Sequence, residues 1–188
     1  PLLAASLEGR AGICEAMLRR GADLATRDHE GATCLQLATS HDHNATVEFL
    51  LGAGAPVDEV GADGCTPLHE SAGRQNVQIA RTLLGAGADV DSADDDGCTA
   101  LMYAVAHDDR AMATLLLEHG ASVDARDAQG RTPLLVAAEA GHAGACALLV
   151  SCDAEIDAAD ADGDTALHYA VRLGHDEATL SLLTHGAD

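Results

Sequence analysis

A glycine recurs every 33 residues, at Gly31, Gly64, Gly97, Gly130 and Gly163. A threonine follows each by two, at Thr33, Thr66, Thr99, Thr132 and Thr165. Two further registers keep the same beat: Leu18, Leu51, Leu84, Leu117 and Leu183, and Gly21, Gly54, Gly87, Gly120 and Gly186. A fixed period of this size specifies about six stacked copies of one structural unit. Such a unit cannot bury its apolar face alone and must pack on its neighbours. The periodicity is unbroken, so residues 1–188 are expected to form a single domain. Its repeats fall at about 1–30, 31–63, 64–96, 97–129, 130–162 and 163–188, the first and last incomplete. Because the chain opens at Pro1 and closes at Asp188 inside repeats, it is expected to be an excerpt of a longer protein.

One unit reads clearly between Thr66 and Gly97. Thr66 can cap a helix, and Pro67 suits the first helical turn, where its missing N–H is no loss. Leu68 and Ala72 supply a short apolar face, and the helix should end near Gln75. A second helix is expected from about Val77 to Ala86, with Ile79, Ala80, Leu83 and Leu84 on one stripe. Leu84, and Leu117 one repeat on, should be sandwiched between neighbouring repeats. Gly87 is a left-handed stop. The Asp-rich segment from Ala88 ends in Asp96-Gly97, a signal for a tight hairpin turn.

The run Thr66-Pro67-Leu68-His69, followed by Leu83-Leu84 and Gly87-Ala88-Asp89, resembles the ankyrin repeat. Thr132-Pro133-Leu134 with Gly141-His142, and Thr165-Ala166-Leu167-His168 with Gly174-His175, repeat its elements across the chain. The resemblance implies an all-α repeat solenoid, a stack of helix-turn-helix units with projecting β-hairpin loops. It also implies a protein-binding module that is not an enzyme. The glycine after the first helix is kept at Gly9, Gly141 and Gly174 but replaced by Asp42, Gln75 and Asp108. A left-handed backbone costs such residues about 1 kcal/mol or more, so these turns are expected to relax. Asp153 likewise replaces the second stop. The hairpin position that is usually Asn in the family is Asp58, Asp91, Asp124 and Asp157, whose carboxylates should bond neighbouring backbone N–H groups.

No cofactor or metal is expected. Register accounts for most of the ten histidines, and residues one repeat apart are separated by about one helix spacing, too far to share a zinc ion. Only His29, His41 and His107 stand outside it. The six cysteines form neither a Cys-x-x-Cys motif nor a zinc-finger spacing. They read as reduced packing residues, which fits an intracellular setting, cytoplasm or nucleus. No apolar run approaches the roughly 18 residues of a membrane span, so no direct membrane insertion is expected, and no signal peptide opens the chain. The fragment is expected to be monomeric.

The formal charge is −21, and all ten basic residues are arginine. Phosphate binding needs clustered positive charge, so nucleic acid is not an expected ligand. More than half of the acidic residues fall in the loop segments, at tips such as Glu30, Ala62-Asp63, Asp95-Asp96 and Ala161-Asp162. A protein or peptide with basic segments is the expected partner. The residues placed to meet it on tips and concave first helices are Asp63, Arg74, Asp95, Asp96, Tyr103, His107, Gln129, Arg131, Glu139, Tyr169 and Arg172. Two other roles would put the working part outside this chain: substrate recruitment for an enzyme such as a ubiquitin ligase, which the absence of lysine would suit, or the cytosolic domain of a membrane protein.

Overall fold

The computed structural model describes residues 1–61 and 63–188, and Ala62, assigned above to a loop tip, lies outside them. The regular structure among the described residues is twelve short helices in six pairs. The chain divides into two compact units, residues 1–89 and 90–188. The first holds α1 (Leu2–Leu7) with α2 (Ala11–Leu18), α3 (Cys34–Ser40) with α4 (Asn44–Gly52), and α5 (Pro67–Gly73) with α6 (Val77–Gly85). The second holds α7 (Ala100–Ala106) with α8 (Arg110–Glu118), α9 (Pro133–Glu139) with α10 (Ala143–Ser151), and α11 (Ala166–Leu173) with α12 (Asp176–Thr184). Within the first unit α1, α3 and α5 pack in series, as do α2, α4 and α6; within the second, α7, α9 and α11 pack in series, as do α8, α10 and α12. This is an all-helical repeat arrangement.

The recurring threonines start the first helices. Thr33 and Thr66 sit in extended backbone and form capping boxes, in which the threonine oxygen accepts from the third helical N–H while the side chain of Gln36 or His69 accepts from the threonine N–H. The helix pair then closes on a backbone bond from the residue after the turn, as in His43 N–H to Ala38 C=O at 2.9 Å and Asp109 N–H to Ala104 C=O at 2.9 Å. That closure overrides local preference. Asp42, Gln75 and Asp108 keep φ values of 59°, 60° and 51°, and Asp153 has 64°, so the expected relaxation of these turns does not occur. Packing of the two helices fixes the turn, and each residue bears a strain of about 1 kcal/mol. Asp42 also gains a bond, because its Oδ1 accepts from Asn76 Nδ2 at 2.8 Å.

Leucine and alanine fill the core. Leu50, Leu83, Leu116 and Leu149 are wholly buried on the second helices, with Leu68, Leu101 and Leu134 at 0–1% exposure on the first. Leu84 is 9% exposed and Leu117 is only half-buried. Leu84 thus lies in the core as expected and Leu117 does not; the leucine one residue earlier is the more deeply buried of each pair, because the helix rotates the second toward the edge of the stripe.

The projecting β-hairpins are not there. Among the described residues there is no β-strand; the loops show only isolated antiparallel bridges, Arg27 with Thr33, Ala93 with Thr99 and Ala159 with Thr165. An aspartate side chain takes the N–H groups that would otherwise extend the pairing. Asp94 Oδ1 accepts from the backbone of Asp96 and of Cys98, and Asp28 Oδ1 accepts in the same way from Glu30 and Ala32. A turn closed by side-chain acceptors leaves too few backbone groups for a ladder.

Candidate partner-binding surface

In the second unit each loop is tied to its surroundings through one carboxylate. Asp94, Asp127 and Asp160 occupy the same register. Oδ1 of each accepts two backbone N–H groups, at 2.8–3.0 Å. Oδ2 of Asp94 accepts from the Tyr103 hydroxyl at 2.8 Å, and Oδ2 of Asp160 accepts from the Tyr169 hydroxyl at 2.8 Å. Asp127, whose side chain is fully buried, accepts instead from Arg131 Nε at 2.8 Å. Burial opposes charge on Asp160, but bonds from Tyr169 and the loop N–H groups outweigh it and hold its carboxyl below the usual range. The same bond raises the Tyr169 hydroxyl above its ordinary value.

Successive loops are also laced together. Asp91 Oδ1 accepts from Ser122 N–H, Asp124 from Glu155 and Asp157 from Asp188, at 2.8, 3.0 and 3.1 Å. These carboxylates bond backbone N–H groups as expected, but those of the next loop and not of their own turn, and Asp58 does the same for Asp89 in the first unit at 3.1 Å. Arg126 Nη1 donates to the carbonyls of Gly130 and Ala159, each at 2.8 Å. The loop backbones approach closely, with Ala128 N–H on Asp96 C=O at 2.8 Å. A Cβ on Gly97, which has φ of 78°, would lie 2.8 Å from that nitrogen, so glycine is required there by space as well as by conformation.

The predicted binding residues of this unit fall into small groups. Asp95, Asp96 and Gln129 are exposed on the tips. Tyr103 is half-buried against its loop, and the exposed His107 ring bonds Tyr103 C=O at 2.9 Å, closing the end of α7. Arg131 reaches Glu139 at 2.8 Å and Gln129 at 3.4 Å. Burial works against the charge on Arg131, but its bond to the Asp127 carboxylate outweighs it and raises its pKa. Arg172 lies over the Tyr169 ring, 4.7 Å from its centroid, and pairs with Asp164. The tyrosines are thus half packing and half display: one edge anchors a loop, and the rest of the ring faces the surface. The anchoring aspartates were not among the predicted residues, although their 33-residue spacing from Asp94 to Asp160 was visible.

In the first unit Asp63 is exposed and its Oδ1 accepts from Cys65 N–H at 3.1 Å, while Arg74 is exposed at the end of α5. Asp63, Glu30 and Glu70 border an open cleft of about 570 Å³ with Leu37 and His41. Burial, reinforced by Asp63, raises the Glu70 carboxyl. His41 bonds Leu37 C=O at 3.0 Å, as His107 does in its own helix, which gives both histidines a helix-end role. Burial pushes the Cys34 and Cys98 thiols up to about 11 and Cys146 up to about 12, so none is a ready nucleophile at neutral pH. Among the described residues no three His, Cys, Asp or Glu side chains converge as metal ligands would.

The repeated helix pairs and threonine caps find their counterpart in a family model of ankyrin repeats in three copies, which matches residues 43–127 and 122–188. The chain belongs to the ankyrin-repeat family. It is similar to an ankyrin repeat domain of Acinetobacter baumannii AYE, 28% identical with a TM-score of 0.91 over 100% of this chain and 98% of that one. It is also similar to the ankyrin repeat domain of Bcl-3, described as a unique member of the IkappaB protein family, 30% identical with a TM-score of 0.91 over 100% of this chain and 86% of that one. No curated protein matches the chain. Ankyrin-repeat domains are typically non-catalytic scaffolding modules and generally serve in protein–protein interaction.

Proposed function

We propose that this ankyrin domain binds a protein segment with basic side chains along the loop tips and first helices of residues 90–188. The observation that carries the reading is an asymmetry of pairing. The arginines at this surface are already engaged: Arg131 with Asp127 and Glu139, Arg172 with Asp164, and Arg126 with two carbonyls. Asp95, Asp96 and Asp162 are exposed, and among the described residues none of them is in an ion pair. A partner would therefore meet unneutralised carboxylates on the tips and, between them, arginines already engaged within the domain. Tyr103 and Tyr169, held by Asp94 and Asp160, offer rigid amphipathic faces of the kind that serve as anchors.

Rim charges act mainly on association, whereas a buried anchor acts on dissociation. Binding partners recovered on the wild-type domain are to be measured by surface kinetics at two salt concentrations. Asp95→Arg with Asp96→Arg should slow association about tenfold and flatten its salt response. Tyr103→Ala should speed dissociation about tenfold or more. Unchanged kinetics in both variants would remove this face from the interaction.

A further inference from the structure

The two units treat one groove position differently. In the second unit, side chains span the space between loop and first helix: Tyr103 reaches Asp94 and Tyr169 reaches Asp160, each at 2.8 Å. In the first unit both ends of that bridge are replaced. Gly61 stands at the register of Asp94, and Glu70 at the register of Tyr103. The open cleft of about 570 Å³ lies there, between α3 and α5. Ala32, Leu37 and Gly61 give it an apolar lining with no donor side chain.

Glu70 is the group that this opening leaves unsatisfied. It is half-buried in the cleft wall. Among the described residues its carboxylate is in no ion pair and accepts no hydrogen bond. Burial and Asp63 both oppose its charge, and Arg74 and His41 offset them only in part. Two further carboxylates border the same space. Asp63 spends Oδ1 on Cys65 N–H and is in no ion pair, while the exposed Glu30 lies 3.8 Å from the exposed His29. No arginine lines the cleft, and the His41 ring there is tied to Leu37 C=O.

An occupant must therefore be cationic at its head and apolar along its stem. An arginine side chain meets both demands. Its methylenes can lie along Leu37. Its guanidinium presents five donors in one plane and can serve carboxylates on two sides at once. A metal ion does not suit the site, because no three of these side chains converge as ligands among the described residues.

We propose that the cleft between α3 and α5 receives an arginine side chain of a protein partner, with Glu70 as its counter-ion and Leu37 against its stem. The proposal shares a basic partner with the function proposed above but rests on different residues, so either can fail alone.

An NMR titration of the whole domain with a capped Gly-Gly-Arg-Gly-Gly peptide tests it. The lysine peptide and the citrulline peptide, which keeps the shape and lacks the charge, serve as comparisons. The arginine peptide should give saturable shifts at Leu37, Gly61 and Glu70. The lysine peptide should bind about threefold more weakly, and the citrulline peptide should give no shifts at these residues. Glu70→Gln, checked for unchanged helical signal, should weaken arginine-peptide binding about tenfold. Gly61→Asp with Glu70→Tyr rebuilds the bridge of the second unit across the cleft and should abolish the response at Leu37. Asp95→Arg with Asp96→Arg should leave these shifts as they are, which separates this site from binding along residues 90–188. The proposal is overturned if the arginine peptide gives no saturable shifts at these residues. It is overturned equally by lysine or citrulline peptides that bind as tightly, or by full binding in both cleft variants.

Discussion

The loop that ends at Cys65 and the loops that end at Cys98, Arg131 and Asp164 have the same register, yet they are held differently. The latter three contain Asp94, Asp127 and Asp160, each accepting two backbone N–H groups and one side-chain donor. The former has Gly61 at that position. Its backbone pairing survives, with Gly61 N–H on Cys65 C=O at 3.0 Å, matching Asp94 N–H on Cys98 C=O at 3.0 Å. Part of the missing carboxylate's work passes to Asp63, which accepts from Cys65 N–H, and buried Gln36 donates to Cys65 C=O at 2.9 Å. The difference separates two functions that the periodic sequence merges. Backbone pairing and the glycine that follows it set the shape of the turn. The carboxylate joins the turn to the helix behind it and so fixes the side chains displayed there.

The strongest way to break this distinction is Asp127→Ala. Asp127 is 6% exposed and serves three donors, one of them the Arg131 guanidinium. Removing it leaves two loop N–H groups without their acceptor and a half-shielded arginine held only by Glu139 and, at 3.4 Å, by Gln129. The expected loss is about 2–4 kcal/mol in denaturant melts. A loss below about 0.5 kcal/mol would mean that the backbone alone holds the loop.

Tyr169→Phe removes a single arm of the same device and should cost about 0.5–1 kcal/mol near neutral pH. The bond it deletes lowers the Asp160 pKa in the folded state. A carboxylate so lowered contributes stability above its unfolded value of about 3.9 and loses that contribution as pH falls through the folded value. The raised Tyr169 hydroxyl gives the opposite limb, with stability present below about pH 10 and lost as pH rises through the folded value. Wild type and variant should therefore differ most between these limits and converge in acid. Melts at pH 7 and pH 3, with an NMR titration of the Asp160 carboxyl, check both. An Asp160 titration unmoved by the substitution would show that the loop N–H groups alone set its acidity.

Most of the helical scaffold was legible because it rests on a short-range code repeated at one spacing. Thr66-Pro67 announces a helix start on its own, and five copies of such signals fix the period. The loops were read less well, because Asp94 looks the same in sequence whether it turns a hairpin or replaces one with side-chain bonds. Only the folded loop, in which its Oδ1 takes the N–H groups of Asp96 and Cys98, distinguishes the two. The turns at Asp42, Gln75 and Asp108 were misjudged for a similar reason: local preference argues for relaxation, and the deciding force is helix packing. At the candidate surface, Tyr103 and Tyr169 were legible as a shared register. The neutralisation of Arg131 and Arg172 was not, because Glu139 and Asp164 come near them only once α9 and α11 are built.

The smallest effect is expected where the missing carboxylate is put back. Gly61→Asp would install in the first unit the group that the second has at Asp94. A Cβ at Gly61 would lie 3.1 Å from Gln36 Nε2 and 3.3 Å from Asp63 Oδ1, both ends of side chains that can shift by a few tenths of an ångström. The new carboxylate could accept from loop N–H groups, but Asp63 already serves Cys65, and the two acids would repel across a short distance. These contributions nearly cancel, so melts should show a change below about 0.5 kcal/mol in either direction. No tyrosine is available to complete the device, since the register of Tyr103 is filled here by Glu70, whose carboxyl would add to the repulsion. Gly61→Asp with Glu70→Tyr should therefore do what the single change does not, and gain about 0.5–1 kcal/mol. A large gain from Gly61→Asp alone would show that the carboxylate, rather than the backbone pairing, is what shapes these turns, and the distinction between the two loop types would fall.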